Sequence, residues 1–256
     1  MATDSGVILG TMAWSFDTWV GPFYPPGTKP ANYLTEYAKH FRAVEIDSTF
    51  YAIPRESVVE GWAARTPDNF CFCPKFPQLI SHEKKLLDAH LETGAFLATM
   101  RLLGDKLGPL VLQFDYTFQA ERLPDLLGYL DALPHDLRYA VEVRHRSWLG
   151  DPLFDALRER NVALVMSDLY YMPRLAVPTA DFAYIRLLGD RRKIPGDQGD
   201  IVQDRTTDLA WWRDRVVAQR EQGAEVFVFV NNKYEGHSPE TVRRFEALLE
   251  QPITRP

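Results

Sequence analysis

Eight short segments rich in β-branched and aromatic residues recur along the chain: Val7–Met12, Ala43–Asp47, Phe70–Lys75, Leu110–Phe114, Tyr139–Arg144, Val162–Asp168, Phe182–Leu187 and Val226–Asn231. Each has the length of a buried strand. Most are separated by stretches whose apolar residues recur at helical spacing. The helical stretches read as Ala31–His40, Leu86–Leu103, Leu123–Leu133, Pro152–Arg160, Asp208–Gln222 and Pro239–Leu249. Pro152 and Pro239 suit a first helical turn, and Ser238 reads as an N-cap. Strands alternating with helices imply parallel βαβ units. Eight of them in 256 residues favour a closed TIM (β/α)8 barrel, an α/β fold, over an open doubly wound sheet. With no linker-like stretch, residues 1–256 read as one domain. Pro173 and Pro178 leave little room for a helix in Leu169–Ala180.

Composition narrows the function classes. Hydrophobic residues make up 46% and charged residues 25%, enough for one substantial core. The formal charge of −6 gives no support to a general affinity for nucleic acid or anionic membranes. Cys71 and Cys73 are the two cysteines; two residues apart in a strand, they read as buried structural thiols, with no disulfide framework or cysteine zinc site. Met1–Gly6 carries no secretory pattern, and no apolar run reaches 18 residues. A cytoplasmic protein that does not span a membrane and has no membrane partner is expected.

Polar residues fall late in the strands, where barrel enzymes carry their chemistry. Glu45 and Asp47 alternate with Val44 and Ile46; Glu142 and Arg144 with Val141 and Val143; Tyr184 and Arg186 with Ile185 and Leu187. Asn232 continues one phase of the last strand, and Lys75, Gln113 and Asp168 stand at equivalent ends. With helices covering the outside, the apolar phase faces them and the polar phase is interior. Buried charges cost several kcal/mol per ion unless paired, so these groups are partnered, wet or liganded. Glu142 with Arg144 or Arg186 equally reads as a satisfied internal ion pair, and Asp168 as the cap of a turn. The aromatic loops Trp14–Tyr24 and Ser48–Tyr51 read two ways: as walls that stack on a ring-shaped ligand, or as a mini-core under a long loop.

These residues have a recognisable pattern. Trp19-Val20-Gly21-Pro22-Phe23-Tyr24-Pro25, Val44-Glu45-Ile46-Asp47-Ser48-Thr49-Phe50-Tyr51, Lys75 with Ile80-Ser81-His82-Glu83, and Leu107-Gly108-Pro109 to Gln113 are its first blocks. Ala140-Val141-Glu142-Val143-Arg144-His145 with Ser147-Trp148, Tyr184-Ile185-Arg186, and Asn231-Asn232 complete it. In these blocks, which span nearly the whole chain in order, the sequence resembles the DUF72 (YecE-like) family of TIM barrels. The resemblance implies a pocket of Trp19, Glu45, Ser48, Thr49, Tyr51, Lys75, His82, Gln113, Glu142, Arg144, Trp148, Asp168, Arg186 and Asn232. The chain departs from the family pattern at Asp47, Leu188 and Lys233, where Asn, His and His are usual.

Dinucleotide, P-loop, nucleophile-elbow and zincin motifs are missing from the sequence. The leading expectation is a hydrolase, lyase or isomerase acting on a small or polymer-end anionic substrate, phosphorylated or carboxylated. Glu45, Glu142, Asp168 and His82 are its acid/base candidates. Lys75, Arg144 and Arg186 are its anion holders, with Trp19, Ser48, Thr49, Tyr51, Gln113, Trp148 and Asn232 as further contacts. No cofactor is expected. The alternative is a divalent metal on Glu45, Glu142, Asp168 and His82, as in metal-dependent phosphodiesterase or nuclease barrels; nearby Lys and Arg compete for those carboxylates. A non-catalytic ligand-binding barrel is the third reading.

Overall fold

The computed structural model describes residues 6–251. Residues 1–5 and 252–256 lie outside the described residues, and with them most of the Met1–Gly6 segment read above. The strands are β1 (Val7–Met12), β2 (Ala43–Ile46), β3 (Cys71–Pro74), β4 (Leu110–Gln113), β5 (Tyr139–Glu142), β6 (Ala163–Leu169), β7 (Phe182–Gly189) and β8 (Glu225–Val230). The helices are α1 (Tyr33–Tyr37), α2 (Glu56–Ala64), α3 (His90–Met100), α4 (Leu123–Asp131), α5 (Asp151–Glu159), α6 (Thr206–Glu221) and α7 (Ser238–Leu249). The strands run parallel in one sheet, ordered β3-β2-β1-β8-β7-β6-β5-β4. Parallel bridges Phe72–Leu107 and Lys75–Val111 join β3 to the β4 side, which brings the sheet close to a closed TIM barrel. As the prolines imply, no helix separates β6 from β7.

Two compact units share this sheet. One takes the chain up to Val44, Met166–Ala176 and the chain from Asp181 onward; the other takes Glu45–Val165 and Val177–Ala180. In the first, β1 and β7 flank β8 in unbroken register, from Val7 against Val226 to Thr11 against Val230, and from Phe182 against Glu225 to Leu187 against Val230. Every residue of β7 is buried, the behaviour of a strand covered on both faces. Tyr37 stitches β1 to β2. Its hydroxyl donates to the Ala43 carbonyl oxygen at 2.9 Å and accepts from the Thr11 backbone N–H at 2.9 Å. At Gly10 a Cβ would fall 2.2 Å from the Ala43 carbonyl oxygen, so β1 passes β2 at a distance that admits no side chain.

In the second unit, β4 and β5 pair from Leu110 against Tyr139 to Gln113 against Glu142. Helix α2 fills a span in which the sequence signals no helix: Gly61 and the β-branched pair Val58-Val59 lower its propensity, yet burial of Val59 and Trp62 one turn apart holds it. The single helix expected over Leu86–Leu103 is shorter, because Lys85, Leu86 and Asp88 take left-handed backbone angles and delay the start of α3 to His90. Ser238 is the first residue of α7 rather than its cap. His237 holds the cap position, and the Ser238 hydroxyl turns to Asn232 Oδ1 at 2.7 Å. Pro152 and Pro239 do sit in first turns.

Candidate functional site

The C-terminal ends of β2 to β5 supply one cluster within the Glu45–Val165 unit. Parallel register lines these ends up: the Lys75 backbone N–H donates to the Ile46 carbonyl oxygen, and the Phe114 N–H to that of Glu142. Glu45 and Glu142 are fully buried, and Lys75 and Gln113 nearly so. Lys75 Nζ lies 3.8 Å from Asp47 Oδ1 and 3.7 Å above the Phe50 ring, a cation–π contact. Glu142 Oε1 accepts from Arg144 Nε at 2.8 Å. This spends one edge of the guanidinium and fixes its plane. The Arg144 side chain is 21% exposed, and its two terminal nitrogens have no partner among the described residues.

His82 enters the same cluster from a π-type turn over Leu79–Glu83 that follows β3. Its Nδ1 meets Ser81 Oγ at 2.8 Å, and its Nε2 faces the Gln113 amide nitrogen at 3.3 Å. That same nitrogen donates to the Phe114 carbonyl oxygen at 2.7 Å. An amide nitrogen can only donate, so Nε2 is the accepting ring nitrogen and the proton sits on Nδ1, toward Ser81. Burial lowers the pKa of His82; Lys75 and Arg144 lower it too, while Asp115 and Glu142 oppose them. Burial and the two cations thus favour the uncharged ring.

Several residues expected to line a pocket are engaged in structure instead. Thr49 is fully buried, with its hydroxyl between the carbonyl oxygens of Ile46 (2.8 Å) and Lys75 (2.7 Å). Trp148 donates to the Phe118 carbonyl oxygen at 2.6 Å and stacks on the Phe118 ring. Ser48 and Tyr51 are exposed on the loop after β2.

Asp168, Arg186, Asn232 and Trp19 belong to the other unit. Asp168, a candidate acid or base in the sequence, is an anchor. Its Oδ2 accepts from Trp212 Nε1 (2.9 Å), the Tyr234 hydroxyl (3.0 Å) and Arg174 Nε (3.2 Å), and its Oδ1 from Arg205 (3.2 Å). These four donors engage both carboxylate oxygens, a structural use of the residue. Arg186 is buried with a terminal nitrogen 3.6 Å from Met12 Sδ. Asn232 Oδ1 accepts from Ser238 N and Oγ. Trp19 is fully buried among Phe16, Phe23 and Tyr24 with centroids 4.6–5.8 Å away; the first loop is a mini-core, not a stacking wall at this residue.

Sequence reasoning missed Ser81, Asp115, Arg174, Arg205, Trp212 and Tyr234. All but Ser81 and Trp212 lie on loops, where no periodicity marks a side chain; Ser81 was legible as the neighbour of His82. Among the described residues, no three His, Cys, Asp or Glu side chains converge as metal ligands, so the four-ligand set weighed above is not assembled. No helix of the described residues is long and apolar enough to cross a membrane. The geometry offers an oriented cationic fork, a second cation and a neutral imidazole at the strand ends of one unit.

Residues 8–256 match the family described as Protein of unknown function DUF72. The UPF0759 protein YecE of Escherichia coli strain K12 is 30% identical over 261 aligned residues, covering 92% of this chain and 90% of that protein. The UPF0759 protein YunF of Bacillus subtilis strain 168 is 25% identical, covering 95% of each. The crystal structure of a DUF72 family protein from Thermotoga maritima superposes with a TM-score of 0.80 at 27% identity, covering 96% of this chain and 99% of that one. With the family match running from β1 through α7, and a 30% identical relative matched over at least 90% of both chains, the chain belongs to the DUF72 family.

Proposed function

We propose that the protein is an enzyme acting on a small or polymer-end anionic substrate, phosphorylated or carboxylated, held through Arg144 and Lys75. The observation that carries this reading is the Arg144 guanidinium. Glu142 binds its Nε edge, and the two terminal nitrogens are left as a planar fork, the geometry that meets a carboxylate or phosphate in two parallel bonds. Lys75 adds a compact charge in the same cluster. His82, neutral and accepting at Nε2, is the proton acceptor for a bound substrate, and Glu142 is a positioning residue for Arg144. A reducing, cytoplasmic setting is part of the proposal, supported by two unbridged thiols.

The test is a binding screen of phosphorylated and carboxylated compounds against wild type and Arg144→Ala. Loss of one charge-assisted pair is expected to weaken any hit by about 10- to 100-fold. Arg158→Ala, which removes an exposed arginine paired with Asp155, serves as the control and is expected to change nothing. A hit that binds Arg144→Ala as tightly as wild type removes Arg144 from the proposal. His82→Gln is expected to keep binding and lose turnover; a hit that wild type binds and returns chemically unchanged assigns a binding protein instead.

A further inference from the structure

After β7 the chain makes a long excursion, residues 190–205, before α6 begins at Thr206. Its ends are anchored independently. Ile194 is buried, and the Val202 and Gln203 N–H groups donate to the Glu235 carbonyl oxygen at 2.7 and 3.0 Å. Gly236 takes a left-handed φ of +120°, and a Cβ there would meet the Asp200 carbonyl oxygen at 2.5 Å, so the two loops touch backbone to backbone. Between these anchors, Asp197 fastens residues 195–199 to the loop after β8. Its Oδ1 lies 3.4 Å from the Asn232 amide nitrogen and 3.3 Å from Lys233 Nζ, and Lys233 Nζ also bonds the Gly196 carbonyl oxygen.

Of the two donors, Asn232 is held by the β8–α7 side, whereas Lys233 Nζ takes its contacts from the excursion and only its backbone is fixed on the β8 side. Asn232 is 4% exposed, and its Oδ1 accepts from Ser238 N at 3.0 Å and Ser238 Oγ at 2.7 Å. Those bonds fix the amide plane and turn Nδ2 toward Asp197. The Lys233 backbone is fastened by its N–H to Asn231 Oδ1 at 2.9 Å. The Asn232 amide stays in place when residues 195–199 leave, with Lys233 Nζ tethered within reach of it, and a preorganised donor binds an incoming anion at little ordering cost.

We propose that Asn232 and Lys233 form a seat for a small oxyanion, a phosphate or carboxylate group, and that Asp197 occupies it until such a ligand displaces the carboxylate and frees residues 195–199. Asp197 is a weak occupant: its side chain is 41% exposed, and both contacts are near the outer limit of hydrogen-bond distance. Exposed ion pairs of this kind contribute little in water. A phosphate dianion, with twice the charge and more acceptor oxygens, outcompetes a single carboxylate there. The proposal uses Asn232 and Lys233 alone and does not rest on the Arg144 fork.

Hydrogen exchange in the peptide spanning residues 190–203, with and without inorganic phosphate, tests the proposal. Phosphate is expected to speed exchange over residues 195–199 in the wild type. Asp197→Asn is expected to exchange fast without phosphate and to show no further change on adding it. Measured in the Arg144→Ala background, it is also expected to bind phosphate up to about fivefold tighter, the range spanned by an exposed ion pair. Lys233→Ala is expected to abolish the phosphate response of this peptide, whereas Arg144→Ala alone keeps it, so failure of the Arg144 reading is seen separately. A wild-type peptide whose exchange is unchanged or slowed by phosphate overturns the seat, as does an Asp197→Asn variant that binds phosphate no tighter.

Discussion

At Asp168 four donors from the segments after β6, after β7, in α6 and after β8 converge on one buried carboxylate. Replacing it by alanine strands an indole N–H and a phenol and leaves the Arg174 and Arg205 guanidinium groups with Asp208 as their shared carboxylate. A loss of about 3–5 kcal/mol in urea-unfolding stability is expected, as for other broken buried ion pairs. His237 offers the pH-dependent counterpart. It is 4% exposed, and burial pushes its pKa down to about 4, with Asp200 and Arg243 as opposing minor influences. The unfolded chain therefore binds a proton that the folded one refuses between about pH 6.5 and 4. Stability is full above pH 6.5 and falls through that window by an amount on the order of 3 kcal/mol. His237→Gln is expected to flatten that part of the stability profile, measured by denaturation at a series of pH values; a profile as steep as wild type counts against a buried neutral imidazole. Neither role was legible in the letters, because a carboxylate that anchors and one that catalyses share the same strand-end position.

Among the elements, strands were far more legible than helices. All eight segments read as strands are strands, because a barrel strand buried on both faces is a short, dense apolar run that few other structures produce. Helix limits were set by features that periodicity does not carry: left-handed backbone at Lys85, Leu86 and Asp88, and tertiary burial that rescues α2 despite its weak propensity. The approach of β1 to β2 is the sharpest constraint at this scale. Gly10→Ala drives a methyl to within 2.2 Å of the Ala43 carbonyl oxygen, an atom with no side-chain freedom to yield. A destabilisation of about 1–3 kcal/mol or more is expected. A urea midpoint unchanged in Gly10→Ala argues against so close a passage of the two backbones.

For the whole molecule, a formal charge of −6 sets the background against which any anion binds. Anion binding here depends on local, oriented cations rather than on a general field. Duplex DNA is accordingly expected to bind more weakly than about 10⁻⁴ M at physiological salt, the weak end of non-specific binding; a mobility shift at micromolar protein contradicts this. From sequence alone came the strand count, the alternation with helices, the parallel barrel and the strand ends at which polar residues collect, since these follow from local patterning and from the burial of both sheet faces. Only the tertiary structure decided which of those polar residues are spent. Thr49, Trp148 and Asp168 each take a partner from a segment 26 to 66 residues away, whereas the free edge of Arg144 is set by a neighbour two residues back. Hydrogen-bond partnership depends on which distant atoms folding brings within about 3 Å, and one-dimensional spacing does not encode that distance.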